Sequence, residues 1–125
     1  MARRIIKAKA KGAKIIVCDP RFIETARIAD IHVPLKNGSN IALLNALAHV
    51  IIEENLHDRE FIQQHTEEFE TFRDLVLPYT PESVEETTGI SAQMIRETAR
   101  MYAKAPTATI LWGMGVTQLY QGVET

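Results

Sequence analysis

The pattern of apolar positions predicts strands in the amino-terminal third of the chain and helices through its centre. An unbroken apolar run over residues 15–18 leads to Asp19 and Pro20, and a proline cannot donate to a sheet ladder. Such runs are typical of parallel sheets covered by helices, which bind ligands beyond the carboxyl ends of their strands. We therefore expect a buried strand here, with Asp19 at the ligand-binding edge.

A second, alternating pattern covers residues 31–35 and predicts a strand with its apolar side chains on one face. A proline within this run limits it to a short strand. The polar loop that follows carries a turn signal at Asn37-Gly38 and a helix cap at Ser39 or Asn40.

The next pattern, over residues 41–54, is apolar on nearly every side and predicts the most buried helix of the fold. Its polar residues form a narrow stripe at a spacing of four: Asn45, His49 and Glu53. A helix has free backbone amides at its amino end. Because this helix begins beside strand tips, we expect its amino end to favour an anion or polar ligand near Asp19.

Helical patterns continue through residues 55–104, with breaks at four positions: Asp58, Thr66, Pro78 and Gly89. Thr80-Pro81 is typical of a helix start that has proline in its first turn. At the amino end of the chain, residues 2–11 also have helix-forming composition, and Gly12 supplies a stop signal.

A third strand is predicted at residues 108–112, directly before a glycine-rich turn and a polar pair: Gly113, Met114, Gly115, Thr117 and Gln118. The order of elements predicts an α/β fold with a Rossmann-like parallel sheet flanked by helices. A helical insertion over residues 55–105 separates the second and third predicted strands. A length of 125 residues, of which 46% are hydrophobic, suits one domain over residues 1–125. Because patterns start and stop abruptly at both ends, we expect a piece of a longer polypeptide.

Composition narrows the possible partners. The net charge of −2 argues against a surface built for nucleic acid or anionic lipid. The single cysteine excludes an internal disulfide framework and fits a reducing, cytoplasmic location. The longest apolar stretch, residues 41–52, contains Asn45 and His49 and is too short to cross a bilayer. No apolar signal-peptide core follows the basic amino end.

The sequence offers only weak signals for three other kinds of site: an NAD site, a nucleophilic cysteine and a metal site. The Gly113-x-Gly115-x-x-Gln118 pattern lacks the third glycine of the NAD fingerprint. Cys18 has no histidine near it in sequence, so a packing or backbone role is favoured over a nucleophilic one. A metal site built from His49, Glu53 and His57 needs one continuous helix. Asn55 and Asp58 indicate that the helix ends between them, so His57 would not lie in line with His49 and Glu53.

Two segments of the chain have features that suit nucleic-acid binding. The basic helix over residues 2–11 has charges suited to phosphates, but no aromatic residues interleave them, so a solvated face is favoured. Residues 81–104 have the helix, glycine turn and helix of a helix-turn-helix module, which would direct Ser91, Ala92 and Gln93 toward bases. Three acidic residues lie where phosphates would bind, so a structural hairpin is favoured: Glu82, Glu85 and Glu86.

The motifs D-P-R, T-A-x-x-A-D, N-G-S-N and G-x-G-x-x-Q occur in this order over nearly the whole chain. This combination resembles the molybdopterin oxidoreductases of the dimethyl sulfoxide reductase superfamily, and most closely their formate dehydrogenase catalytic subunits. The resemblance implies a large enzyme that holds molybdenum or tungsten between two molybdopterin guanine dinucleotides and oxidises formate to carbon dioxide. It also implies that an α/β domain like this one cradles one of the dinucleotides.

The resemblance assigns cofactor-binding roles by position. Asp19 matches the acid that holds the guanosine end of the dinucleotide, with Cys18 and Arg21 beside it. The loop that closes on the guanine matches three residues, Asn37, Gly38 and Asn40, and many relatives have aspartate at the last of these positions. The turn that approaches the phosphates or pterin matches four residues: Gly113, Met114, Gly115 and Gln118.

Two motifs of formate dehydrogenases are absent from this sequence. Formate dehydrogenases ligate their metal through a cysteine or selenocysteine beside a histidine, and they usually carry an iron-sulfur cluster on further cysteines. Here the only cysteine is Cys18, at a dinucleotide-contacting position. We therefore expect no catalytic or metal-ligating residue in this chain and no turnover by it alone. Its expected partners are the other domains of the parent subunit, and exposed apolar surface would favour self-association of the isolated domain.

Overall fold

A computed structural model describes residues 2–113, 118 and 122. Within them the chain forms two strands and seven helices. In chain order these elements are α1 (Ala2–Ala10), β1 (Ile16–Cys18), α2 (Glu24–Arg27), β2 (Ile31–Val33), α3 (Asn40–Glu53), α4 (Arg59–His65), α5 (Phe69–Val76), α6 (Pro81–Thr88) and α7 (Ala92–Ala103). The fold is therefore α/β, as the sequence predicts.

The two strands pair in parallel, with Ile16 opposite Ile31 and Cys18 opposite Val33. This register brings the carboxyl ends of both strands to the same edge of the sheet. The turn that begins at Asp19 and the loop that follows β2 therefore leave from one edge.

The sheet is smaller and less covered than the sequence predicts. Ile16 and Val17 are half-buried and Cys18 is exposed, so the prediction of a buried first strand was wrong for this chain. The prediction of a third strand at residues 108–112 was also wrong, because this segment has no regular structure and Trp112 is 68% exposed. An apolar run reports strand propensity, but a strand forms only where a neighbouring edge accepts its backbone hydrogen bonds.

Helix α3 lies at the centre of the core. It packs on α5, α6 and α7, and its side chains Leu43, Ala46 and Val50 are at most 2% exposed. Within α3 only Leu44 and Glu53 are exposed, a smaller share than in any other described helix, which confirms the prediction that it is the most buried helix. The partners of α3 in the core come from β2, from α6 and α7, and from the loops next to these elements: Val33, Leu35, Val84, Ile90, Ile95 and Ala99.

Local capping explains where the later helices begin and end. The Asp58 carboxylate accepts from the Phe61 amide over 2.9 Å, and the Thr80 hydroxyl accepts from the Ser83 amide over 3.2 Å. Gly89 ends α6 with a φ of +73°, a conformation that glycine adopts without a Cβ penalty. The predicted breaks in the helical segment are thereby confirmed.

Candidate functional site

The turn after β1 is organised by contacts between Asp19 and Arg21. The Arg21 amide donates to Asp19 Oδ1 over 2.8 Å, and its Nε and Nη2 atoms donate to the two carboxylate oxygens over 3.2 and 3.4 Å. These hydrogen bonds from Arg21 lower the pKa of Asp19 below its usual value, so the carboxylate is ionised at neutral pH. The Arg21 side chain remains 79% exposed and offers a cation at the strand tip.

A second set of contacts holds the same turn from the neighbouring strand. His32 Nε2 lies 2.8 Å from the Asp19 carbonyl oxygen, and the His32 ring meets the Phe22 ring edge-on, with centroids 5.4 Å apart. The alternating pattern of residues 31–35 does not by itself indicate this contact of His32. The signal that would have found the contact is the parallel register, which places His32 opposite Val17, two residues before Asp19.

The predicted loop leaves β2 at the same edge of the sheet. Asn37 and Gly38 form a turn, Gly38 has a φ of +84°, and a Cβ there would meet no described atom within 4 Å. Ser39 lies at the start of α3 as predicted, but its hydroxyl donates to the Lys36 carbonyl over 2.7 Å instead of capping a helix amide. The exposed Asn37 and the half-buried Asn40 frame the entry to α3.

The Cys18 thiol is unsuited to nucleophilic chemistry. Desolvation by its surroundings raises the pKa of Cys18 above the usual value, although the residue as a whole is exposed in the structure. A thiol with a raised pKa carries little thiolate at neutral pH. The geometry agrees with a packing or backbone role next to Asp19.

The predicted glycine-rich turn falls mostly outside the described residues. Gly113 lies in an irregular exposed segment and Gln118 in an exposed turn. Met114 and Gly115 lie outside the described residues. The geometry described above for the candidate site is therefore that of the turn after β1 and the loop after β2.

Asp30, the last residue of the T-A-x-x-A-D motif, stabilises the opposite end of the sheet, a role that the motif alone does not indicate. Its carboxylate accepts from the Ile15 amide over 2.9 Å and pairs with Lys9 and Lys14 over 2.9 and 3.1 Å. The Ile15 amide and the two ammonium groups lower the pKa of Asp30 strongly. This network ties α1 to the start of β2, which agrees with a structural role for at least one basic residue of α1.

The residues of the metal alternative are used in packing instead. His49 is buried, its Nδ1 lies 3.3 Å from the Val76 carbonyl oxygen, and its Nε2 lies 3.5 Å from a Glu53 carboxylate oxygen. Helix α3 ends at Glu53, and the His57 ring packs on Phe69. Within the described residues, no three histidine, cysteine or acidic side chains form a group that could hold a metal ion.

The residues of the helix-turn-helix alternative are likewise engaged within the fold. Arg96 donates to both carboxylate oxygens of Glu82 over 2.7 and 3.0 Å, and Ala92 is only 9% exposed. The Glu85 carboxylate accepts from the Ala92 amide. The hairpin is therefore closed by its own acidic residues, and an acidic face repels DNA phosphates.

None of the helices that the structure describes is both long and apolar enough to span a bilayer.

Comparisons with known proteins give the family. A family model described as molybdopterin oxidoreductase matches residues 1–125. The chain is 69% identical over 125 residues to formate dehydrogenase H of Escherichia coli K12, which covers all of this chain and 18% of that protein. It is 48% identical over 124 residues to the F420-dependent formate dehydrogenase subunit alpha of Methanocaldococcus jannaschii, covering 99% of this chain and 18% of that protein.

A solved structure has the same fold. Acetylene hydratase from Pelobacter acetylenicus superimposes with a TM-score of 0.86 at 38% identity, over 89% of this chain and 15% of that chain. The chain thus spans less than a fifth of the length of these relatives. The match of the family model to the whole chain and the shared fold lead to one conclusion: the chain belongs to the molybdopterin oxidoreductase family.

Proposed function

We propose that this chain is the molybdopterin guanine dinucleotide-binding portion of a formate dehydrogenase that oxidises formate to carbon dioxide. The observation that carries the proposal is the 69% identity to a formate dehydrogenase over every residue of the chain. The geometry of the strand tips adds a physical reason, because it gathers an ionised carboxylate and an exposed guanidinium in the turn after β1.

The residues at this edge suit a guanine nucleotide. Arg21 occupies three of the roughly four lone-pair sites of the Asp19 carboxylate, and the site that remains on Oδ2 can accept a hydrogen bond from a guanine edge or a ribose hydroxyl. Arg21 supplies positive charge for a diphosphate. Asn37 and Asn40 supply amide donors and acceptors, and the amino end of the 14-residue α3 favours an anion.

In the proposed parent enzyme, a molybdenum or tungsten ion held between two such dinucleotides supplies the redox chemistry, and an iron-sulfur cluster serves electron transfer. The residues proposed here do no redox chemistry. They bind and orient the guanosine and diphosphate groups through Asp19, Arg21, Asn37 and Asn40, with Gly38, Cys18 and the turn that begins at Gly113 approaching the cofactor. We expect the isolated chain to leave formate unchanged.

The same proposal covers the architecture of the chain and its contacts with other domains. The two-stranded sheet forms part of a Rossmann-like sheet, and residues 55–105 form a helical insertion within a domain over residues 1–125. Exposed apolar side chains such as Ile110, Leu111 and Trp112, each at least 59% exposed, would pack on other domains of the parent subunit. In the isolated domain they would favour self-association. We propose a cytoplasmic location.

The experiment that tests the proposal measures binding of GDP, the guanosine diphosphate half of the cofactor, to the chain by calorimetry. GDP is expected to bind more tightly than ADP, and Asp19→Asn is expected to weaken GDP binding about tenfold, the scale of one charge-assisted hydrogen bond. Asp74→Asn, which changes a side chain that is 70% exposed on α5, is the matched control and should bind normally.

In the full-length subunit, Asp19→Asn is expected to lower the guanine nucleotide released per protein molecule on denaturation, together with formate oxidation. Equal GDP affinity of the wild-type chain and Asp19→Asn, with full nucleotide content in the subunit variant, would contradict the proposal.

A further inference from the structure

His32 joins the second strand to the turn that carries Asp19. Its Nε2 lies 2.8 Å from the Asp19 carbonyl oxygen, at a partly buried position. Because a carbonyl oxygen only accepts hydrogen bonds, Nε2 must carry the proton, as it does in one neutral tautomer and in the imidazolium. His32 lies opposite Val17 within the paired strands, and its side chain reaches Asp19, the first residue after the pairing of β1 ends at Cys18. The bond therefore extends the connection between the strands by one residue on the β1 side.

The same imidazole also holds the far end of the turn. Phe22 is 66% exposed, so burial in the core does not fix its position. Its ring makes an edge-on contact with His32 at an interplanar angle of 64°. Residues 19 and 22 are thus both attached to one side chain, and Arg21 between them donates to the Asp19 carboxylate.

From these contacts, and resting on the function proposed above, we propose that His32 is a positioning residue for the guanosine end of the dinucleotide. It fixes the Asp19 carbonyl and the Phe22 ring, and so sets the direction in which the Asp19 carboxylate points. A binding group that is already held in its bound geometry loses less conformational freedom when the ligand arrives. His32 acts through Asp19 and makes no contact of its own with the ligand.

Two substitutions separate the hydrogen bond from the ring contact. His32→Gln retains an N–H donor at about the position of Nε2, whereas His32→Phe retains an aromatic ring but has no donor. Ile31→Val, at the neighbouring half-buried position of β2, is the control for loss of packing in the strand. Two quantities are measured for each variant: the dissociation constant for GDP and the hydrogen-exchange rate of the Arg21 amide, which reports on its bond to Asp19.

His32→Phe is expected to weaken GDP binding about fivefold, the scale of one neutral hydrogen bond, and to speed exchange of the Arg21 amide. His32→Gln, which loses only the ring contact, should show a smaller change than His32→Phe in both measurements, and Ile31→Val should stay close to wild type. Unchanged Arg21 exchange in His32→Phe overturns the inference, as does equal loss of GDP binding in His32→Phe and Ile31→Val.

If the wild-type chain binds no GDP, the proposed function fails, and the exchange rate alone decides whether His32 positions the turn. Faster exchange in His32→Phe than in His32→Gln, with wild-type exchange in Ile31→Val, then supports the positioning role.

Discussion

The Lys36 amide donates to the carbonyl oxygen of Thr88 across 2.8 Å, and so fixes the loop after β2 to the last residue of α6. The Lys36 ammonium adds a second bond, to the Glu86 carbonyl oxygen across 2.7 Å. The loop that contains Asn37 and Asn40 is therefore supported by the helical half of the chain. Changes at the end of α6 should reach the candidate site through Lys36.

Gly89→Ala tests this support. Gly89 has a φ of +73°, and an added Cβ would lie 3.2 Å from two carbons of the Lys36 side chain. A left-handed alanine costs about 1–2 kcal/mol, and displacement of Lys36 adds to this cost. We expect urea unfolding to show this loss, and amide spectra to show shifts at Asn37 and Asn40.

Gly38→Ala is the matched control, because Gly38 has a φ of +84° with no described atom within 4 Å of the added Cβ. It should lose only the conformational part of the stability. A loss in Gly38→Ala as large as that in Gly89→Ala would contradict the role of Lys36.

Thr98→Val is expected to stabilise the protein. The Thr98 hydroxyl is buried and has no hydrogen-bond partner among the described residues, and the residue is 2% exposed. A buried hydroxyl without a partner costs free energy, so a methyl group of similar size should raise the unfolding free energy by about 1 kcal/mol. Urea or thermal unfolding measures the change.

Thr88→Val provides the opposite case at an equally buried threonine. The Thr88 hydroxyl donates to the Val84 carbonyl over 2.8 Å and accepts from the Ile90 amide over 3.1 Å. Its removal leaves a buried amide without an acceptor and should cost about 1–3 kcal/mol. Destabilisation by both substitutions to the same extent would refute the difference between the two hydroxyls.

Asp30→Asn should flatten the acid limb of the stability curve. The folded state lowers the pKa of Asp30 from its ordinary value of 3.8, chiefly through the Ile15 amide and then through Lys9 and Lys14. The stabilisation is therefore fully present above the unfolded pKa and is lost as the pH falls through the lower folded pKa. Wild type should lose this contribution below about pH 4.

The measurement is urea unfolding between neutral and acid pH for wild type, Asp30→Asn and the exposed control Asp74→Asn. The asparagine at position 30 should reduce stability at neutral pH and reduce the difference between neutral and acid pH. An acid limb in Asp30→Asn that is as steep as in wild type would show that Asp30 does not carry it.

The hairpin of α6 and α7 is expected not to bind DNA. Arg96 is held by Glu82, and Gln93 donates to Glu97 over 2.9 Å, so both side chains are already engaged. A gel-shift assay with duplex DNA at low salt should show no complex. A salt-dependent complex that is lost when both Gln93 and Arg96 are replaced by alanine would revive the helix-turn-helix alternative.

The sequence predicts the helices of this chain well because their boundaries are local. The Thr80-Pro81 start, the glycine end of α6 and the breaks near Asp58 and Thr66 each depend on residues within one turn of the boundary. The depth of α3 is also predictable, since an apolar residue on nearly every side leaves little polar surface to face water.

The sheet is harder to predict because strand pairing depends on distant residues. The apolar residues 108–112 carry no local information about which edge would pair with them. The contact of His32 with Asp19 depends on the parallel register of two strands, and Asp30 acts through the Ile15 amide and Lys9, far away in sequence. Such contacts follow from the fold and are not visible in any single motif.

The most direct test of the proposed nucleotide site is an amide-resolved NMR titration of the chain with GDP. The proposal predicts shifts confined to the turn around Asp19 and Arg21 and to residues 37–40, with the amides of α4 and α5 unchanged. The same titration with Asp19→Asn should give smaller shifts at equal GDP. Unchanged spectra at millimolar GDP, or shifts confined to α4 and α5, would contradict it.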